Sequence, residues 1–179
     1  MLKKRLIGVI TVKDGWAVQS FGFNSYLPLG KPEVLAENLE RWGADEIILQ
    51  CIDRSQNNLG PDYDTLSKVS KSVFGTPLIY AGGISSTEDG INVVQLGADR
   101  VALDALLHDS PETVIELSHL LGSQALIACL PVSCVDSHLL WFDYRNKNKK
   151  SFSNTLSELL MQKTISEVML VDYLHEGQQ

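Results

Sequence analysis

The chain has 179 residues, of which 44% are hydrophobic and 21% are charged. This composition excludes a disordered or fibrous protein and is typical of a globular domain with a buried core. Because 15 Lys and Arg residues stand against 22 Asp and Glu residues, for a net charge of -7, nucleic acid is not expected as a partner.

Strand-like apolar runs alternate with amphipathic helical segments along the whole chain. In chain order, strands are predicted at residues 6–12, 46–52, 78–80, 100–103, 125–130 and 167–171. Helices are predicted at residues 31–42, 63–74, 86–96, 111–121 and 153–165. This alternation predicts βα units that feed a parallel sheet, and the aromatic and polar stretch at 138–150 predicts an inserted β-hairpin. Since no linker interrupts the pattern, residues 1–179 are predicted to form one α/β domain.

The N-terminal and cysteine patterns bear on localisation. The first apolar run stops at Lys13 and Asp14, too early for a signal sequence or a membrane span. Cys51, Cys129 and Cys134 show no CxxC spacing, and unpaired thiols are typical of a reducing compartment. A cytoplasmic protein without membrane association is therefore expected.

A glycine pair, Gly82-Gly83, follows the third predicted strand and precedes a helix. Backbone N–H groups in such a turn bind phosphate, but two glycines also permit a tight turn with no ligand. Asp104 ends the next strand, and its carboxylate would repel a phosphate at the same edge. A weak phosphate site formed by Gly82, Gly83 and Asp104 is expected.

Two carboxylates, Asp53 and Asp172, follow predicted strands and are placed at the C-terminal mouth of a barrel, where catalytic groups usually lie. Capping of loops and ion pairing are the alternative roles. The histidines show no metal-ligand spacing, and no dinucleotide-binding fingerprint is present, so no metal and no cofactor are predicted.

Several segments together resemble one family. The segments on which the resemblance rests are Lys4-Arg5-Leu6-Ile7, Val12-Lys13-Asp14-Gly15, Gly43-Ala44-Asp45-Glu46, Gly82-Gly83-Ile84, Gly97-Ala98-Asp99-Arg100 and Gly122-Ser123-Gln124. With these segments the chain resembles the cyclase subunit of imidazole glycerol phosphate synthase. The resemblance implies a (β/α)8 barrel of TIM-barrel type from histidine biosynthesis, a lyase. In that family, ammonia from a partner glutaminase enters at the barrel bottom and reacts with a phosphorylated, sugar-like substrate at the top.

The family's functional positions are substituted here. Its two catalytic aspartates fall on Thr11 and Pro131, which cannot transfer a proton as a carboxylate does. Asp53 and Asp172 are the available replacements. The family's anion-binding lysine falls on Gln19, its aspartate on the second strand falls on Cys51, and its phosphate-binding Asn-Thr pair falls on Asp104-Ala105.

The bottom of the barrel retains the family's charged ring, with one residue at the start of each of four strands: Arg5, Glu46, Arg100 and Glu167. By resemblance this ring gates ammonia entry, and Asp99 and Gln124 match positions that face the glutaminase. The alternative is that the four charges only form ion pairs that cap the barrel floor.

Only about six of the eight βα units are present, and the last two strands, with the family's second phosphate site, are missing. A six-stranded open barrel leaves two unpaired edges. We therefore expect either a fragment of a longer protein or closure by self-association.

Three functions are compatible with these patterns. The first is a divergent family member that docks a glutaminase and channels ammonia, for instance to amidate a sugar, with imidazole-forming chemistry lost or impaired. The second is an active ammonia-dependent lyase and cyclase of histidine biosynthesis. The third is a non-catalytic interaction protein.

Overall fold

The computed structural model describes residues 4–135 and 138–178. The strands are β1 Ile7–Lys13, β2 Trp16–Phe21, β3 Ser25–Gly30, β4 Glu46–Cys51, β5 Leu78–Ala81, β6 Arg100–Leu103, β7 Leu126–Val135, β8 His138–Asp143, β9 Asn148–Lys150 and β10 Glu167–Asp172. The helices are α1 Pro32–Arg41, α2 Tyr63–Ser70, α3 Thr87–Gln95, α4 Ala105–Asp109, α5 Pro111–Leu121 and α6 Asn154–Met161.

Six strands form one parallel sheet in the order β1-β4-β5-β6-β7-β10. A helix or a helical segment lies between each consecutive pair of these strands, as expected for parallel connections. This arrangement confirms the predicted α/β class and matches an incomplete (β/α)8 barrel. Each of the six predicted parallel strands is present.

The two faces of the sheet bury different sets of apolar residues. The face covered by the helices carries the larger core, in which Leu49, Tyr80 and Leu126 are fully buried. The opposite, inner face carries a smaller cluster of short or branched side chains: Ile48, Ile79, Ala81, Ala102, Ile127 and Cys129. Since successive side chains of a strand point to opposite faces, this alternation assigns each strand residue to the helical layer or to the barrel interior.

Two antiparallel additions extend the parallel sheet. The β2–β3 hairpin, which the sequence patterns did not predict, continues from β1 through a turn at Asp14 and Gly15, both with positive φ. β7 runs past the predicted end at residue 130 because β8 pairs with its second half, opposing Val132 to Trp141. β8 and β9 then form an antiparallel hairpin over residues 138–150.

The segment after β10 contacts the β2–β3 hairpin. The carbonyl oxygen of Glu176 accepts a hydrogen bond from the Gly22 N–H at 2.9 Å. Its carboxylate accepts from the Phe23 N–H at 3.0 Å and from the Ser20 hydroxyl at 3.1 Å. The upper ends of the two border strands are thereby connected without strand pairing.

No helix in the described part of the chain is long and apolar enough to cross a membrane.

Candidate functional site

A cavity of about 530 Å³ opens at the carboxyl ends of the parallel strands. Its wall includes Asp53 after β4, the Gly82-Gly83 turn after β5, Asp104 after β6, Pro131 of β7 and Tyr144 of the β8–β9 hairpin. The structure therefore brings together the candidate carboxylate Asp53, the predicted phosphate site of Gly82, Gly83 and Asp104, and the substituted family position Pro131. This mouth is the face on which barrel enzymes carry their chemistry.

Asp53 is a buried carboxylate at the cavity wall. It is 8% exposed, and one of its carboxylate oxygens accepts a hydrogen bond from the backbone N–H of Asp14 at 2.9 Å. That contact fixes the side chain against the turn between β1 and β2. Asp53 is therefore available to the cavity in a defined orientation.

Asp104 lies partly buried where β6 meets α4. Burial raises the pKa of this carboxyl to about 7, although hydrogen bonds from Trp141 and Tyr144 and the charge of Arg145 act in the opposite direction. The Trp141 Nε1–H donates to Asp104 Oδ1 at 3.1 Å. A carboxyl that titrates near neutrality inside a cavity can accept or donate a proton.

The β8–β9 hairpin supplies the side chains that hold Asp104. Trp141 is buried and stacks on His108 of α4, with ring centroids 3.6 Å apart. Burial lowers the pKa of His108 to about 4, so the stacked ring is neutral at physiological pH. Burial likewise raises the pKa of Tyr144, whose hydroxyl also interacts with Ser55.

The Gly82-Gly83 turn packs closely against its own chain. Both glycines have positive φ, 123° and 73°. A Cβ added at Gly82 would lie 2.2 Å from the carbonyl oxygen of Cys51, and one at Gly83 would lie 2.2 Å from that of Gly60. The glycines are required by this approach of the β4–α2 loop, with or without a ligand.

At the opposite end of the sheet the four charged residues predicted to form a ring are in contact. Arg5 pairs with Glu46 and with Glu167, the latter at 2.9 Å. Arg100 lies 3.6 Å from Glu46 and 3.2 Å from Glu167. Each carboxylate thus has two guanidinium neighbours, and the hydrogen bonds from both arginines lower the pKa of Glu167 against the effect of burial.

The two residues predicted to face a partner lie beside this ring. The carboxylate of Asp99 accepts a hydrogen bond from the Leu78 N–H at 2.8 Å, which joins β6 to the start of β5. Gln124 is exposed, and its backbone carbonyl accepts from Arg100 Nε at 3.0 Å. Asp99 therefore has a structural contact, while the Gln124 side chain is open to solvent.

Three nominated positions lie outside the cavity. Asp172 is exposed and pairs with His175 at 2.7 Å, which lowers the pKa of the carboxyl. The inner face of β10 instead presents Met169 and Val171. Thr11 does not line the cavity, and Gln19 is exposed on β2.

Cys51 borders the cavity but belongs to the helical layer, since its side chain is buried in the larger core. Burial raises the pKa of its thiol. All three cysteines are free. Among the described residues, no group of three His, Cys, Asp or Glu side chains converges as a metal site would require.

Sequence reasoning missed the residues that surround Asp104. Trp141 and Tyr144 lie in the inserted hairpin, and Ser55 lies in the loop after β4. The aromatic run at 138–150 was the available signal, because aromatic side chains with a polar atom find hydrogen-bond partners when buried.

Comparison with known proteins gives consistent matches over most of the chain. The family model described as histidine biosynthesis protein matches residues 5–179. Imidazole glycerol phosphate synthase subunits HisF from Exiguobacterium sp. and Staphylococcus carnosus are each 33% identical to the chain, over 83% and 84% of its length. The corresponding subunit from Natranaerobius thermophilus is 34% identical over 73% of the chain. The matched segments cover 58%, 59% and 51% of these proteins, so the chain spans about half the length of the curated relatives it matches.

Proposed function

The chain belongs to the histidine biosynthesis protein family, as the sequence resemblance predicted, and from that membership we propose that it docks a glutaminase and admits ammonia through the barrel floor. On this proposal it is a divergent cyclase-subunit barrel whose imidazole-forming chemistry is lost or impaired. The observation that carries the proposal is the closed ring of Arg5, Glu46, Arg100 and Glu167 beneath the cavity.

Two features of the ring support a gating role in the floor. Its four side chains come from the starts of four different strands or from the residues just before them, and each pairs with two of the others. Above it, the barrel interior consists of apolar residues such as Ile79, Ala102 and Ile127. Neutral ammonia crosses such an interior at lower free-energy cost than ammonium or another ion. On this proposal, displacement of one guanidinium admits ammonia at the floor.

Loss of the family's chemistry is supported by the upper face. Pro131 lines the cavity and offers no acid or base, and Thr11 lies outside it. Each positioned proton transfer typically contributes about 10²–10⁴-fold in rate. We therefore expect the family's phosphorylated, sugar-like substrate to turn over at least about 10²-fold more slowly here than in a family member with both catalytic aspartates, when ammonium salt replaces glutaminase.

The docking experiment uses the glutaminase subunit of imidazole glycerol phosphate synthase as the probe, with binding measured by calorimetry and glutamine hydrolysis measured in the same samples. Gln124→Lys places a charge on the exposed surface beside the ring and leaves the backbone carbonyl that Arg100 contacts in place. We expect Gln124→Lys to weaken binding of the glutaminase at least tenfold. We expect Arg100→Ala to bind the glutaminase but no longer to change its rate of glutamine hydrolysis.

Lys68→Ala, on the exposed side of α2, is the matched control and should bind as the parent does. If the glutaminase does not bind the parent protein and its rate of glutamine hydrolysis does not change when the parent protein is added, the docking proposal is wrong. The ring would then be a structural cap of the barrel floor.

A second function, active lyase and cyclase chemistry, is favoured by one observation. Asp53 and Asp104 line the same cavity, and two carboxyl groups can divide acid and base roles between them. Under this function the ammonium-dependent reaction proceeds and Asp53→Asn abolishes it, whereas Asp172→Asn, outside the cavity, leaves it unchanged.

A further inference from the structure

Three N–H groups between the glycine turn and the start of α3 donate to side chains of the chain itself. The Gly83 N–H donates to the Ser55 hydroxyl at 2.9 Å. At the start of α3, one carboxylate oxygen of Asp89 accepts from the N–H groups of Ser85 and Ser86 at 3.0 and 3.1 Å. A bound anion would have to displace a serine hydroxyl and compete with a carboxylate.

The loop that occupies this turn is itself fixed in place. Arg54 donates to the carbonyl oxygens of Gly60 at 2.7 Å, Leu59 at 2.8 Å and Pro61 at 3.2 Å. These bonds hold the Gly60 carbonyl against Gly83, where even a Cβ would not fit. The guanidinium is therefore committed to the loop, and the Ser55 hydroxyl stays on the Gly83 N–H.

A negative charge faces the same end of the cavity. β5 and β6 are adjacent, with Ala81 opposite Ala102, so Asp104 ends one strand beside the turn that follows the other. Trp141 and Tyr144 each hydrogen-bond the carboxyl group and orient it. An ionised carboxylate accepts about four hydrogen bonds, so two of its acceptor sites remain for a ligand.

From this arrangement we propose that the end of the cavity between β5 and β6 excludes phosphate and binds a hydrogen-bond-donating group, an amine or a hydroxyl, through Asp104. The proposal identifies Asp104 as the residue that determines ligand specificity. It does not depend on ammonia entry at the floor, because Asp104 and the residues that hydrogen-bond it lie in this chain and binding is measured without a glutaminase.

The test uses three probes at pH 8, where Asp104 is ionised: glucosamine, glucose and sulfate. Binding is measured by calorimetry or by NMR titration. We expect glucosamine or glucose to bind the parent protein and sulfate not to bind at millimolar concentration. A glucosamine-only result assigns the amine, and equal binding of both sugars assigns the hydroxyls.

Asp104→Asn should weaken sugar binding at least tenfold. Asp172→Asn, a carboxylate at a strand end outside the cavity, is the matched control and should bind as the parent does. A double variant, Asp104→Asn with Ser55→Ala, removes the repulsive charge and frees the Gly83 N–H, so it should acquire sulfate binding.

Three results would overturn the proposal: sulfate binding by the parent, no binding of either sugar, or sugar binding that Asp104→Asn leaves unchanged. If Asp104→Asn is unfolded, Trp141→Phe provides the same test, because it removes the hydrogen bond that orients the carboxylate. This variant should weaken sugar binding at least threefold, and unchanged binding would count against the assignment.

Discussion

Arg5, two residues before β1, and Glu167, the first residue of β10, form an ion pair across the open side of the barrel, with Arg5 Nη2 2.9 Å from Glu167 Oε1. β1 and β10 border the parallel sheet, and no strand lies between them in the described chain. The contact between Glu176 and the β2–β3 hairpin forms the corresponding bridge at the upper end. An ion pair at the lower end and the hydrogen bonds of Glu176 at the upper end thus join two edges that strand pairing leaves apart.

The ring is expected to stabilise the fold, and Glu46→Gln tests this. Glu46 is 6% exposed and pairs with both arginines of the ring. Removing its charge should lower the free energy of unfolding by about 2 kcal/mol, since hydrogen bonds to charged groups contribute about 1.5–3 kcal/mol. Urea denaturation provides the measurement. Glu37→Gln, in an exposed pair with Arg41 on α1, should cost less than about 0.5 kcal/mol. Equal effects of the two variants would contradict a structural contribution from the ring.

Asp104 is expected to make stability depend on pH. Its folded-state pKa of about 7 lies above the unfolded value, so the folded state binds the proton more tightly. The associated stabilisation is complete below about pH 4 and is lost as pH rises to about 7. Asp104→Asn should therefore be more stable than the parent at pH 8, by about 4 kcal/mol, with the difference shrinking toward pH 4. Thermal unfolding across this range checks the expectation, and a difference independent of pH would refute it.

The close approach at the glycine turn predicts unequal costs for two glycine substitutions. Gly43 and Gly83 both have positive φ, but only Gly83 has an atom where the new Cβ would lie. Gly43→Ala should cost about 1–2 kcal/mol for the left-handed conformation. Gly83→Ala should cost about 2 kcal/mol more, because the β4–α2 loop must move. Chemical denaturation of both variants would test this, and equal costs would show that the loop yields freely.

The outer face of β10 is expected to promote self-association. Leu170 is 61% exposed there, and Val168 beside it is 45% exposed. Contiguous apolar surface next to an unpaired strand edge favours contact with a second chain. Leu170→Ser should lower the average mass in concentration-dependent light scattering, whereas Leu120→Ser, at 57% exposure on α5, should not. A parent protein that stays monomeric at high concentration would contradict the prediction.

The parallel sheet and its helices were predictable because each element carries a local apolar pattern. The ring was predicted from the family resemblance, which assigned one charged residue to the start of each of four strands. The β2–β3 hairpin was missed because β3 is largely exposed and shows little apolar alternation. The environment of Asp104 depends on Trp141, which is distant in sequence and is brought near by the pairing of β8 with β7. Asp172 was misplaced for a simpler reason: Met169 and Val171 face the interior, so strand alternation turns Asp172 outward.

The β8–β9 hairpin lies outside the repeating βα units, yet it contributes the indole and the phenol that hydrogen-bond the Asp104 carboxyl group. A substitution in the β8–β9 hairpin would alter the ligand preference proposed for Asp104, while the parallel strands and the barrel floor stay unchanged. Ligand preference at this end of the cavity is therefore separable from the scaffold that forms the sheet.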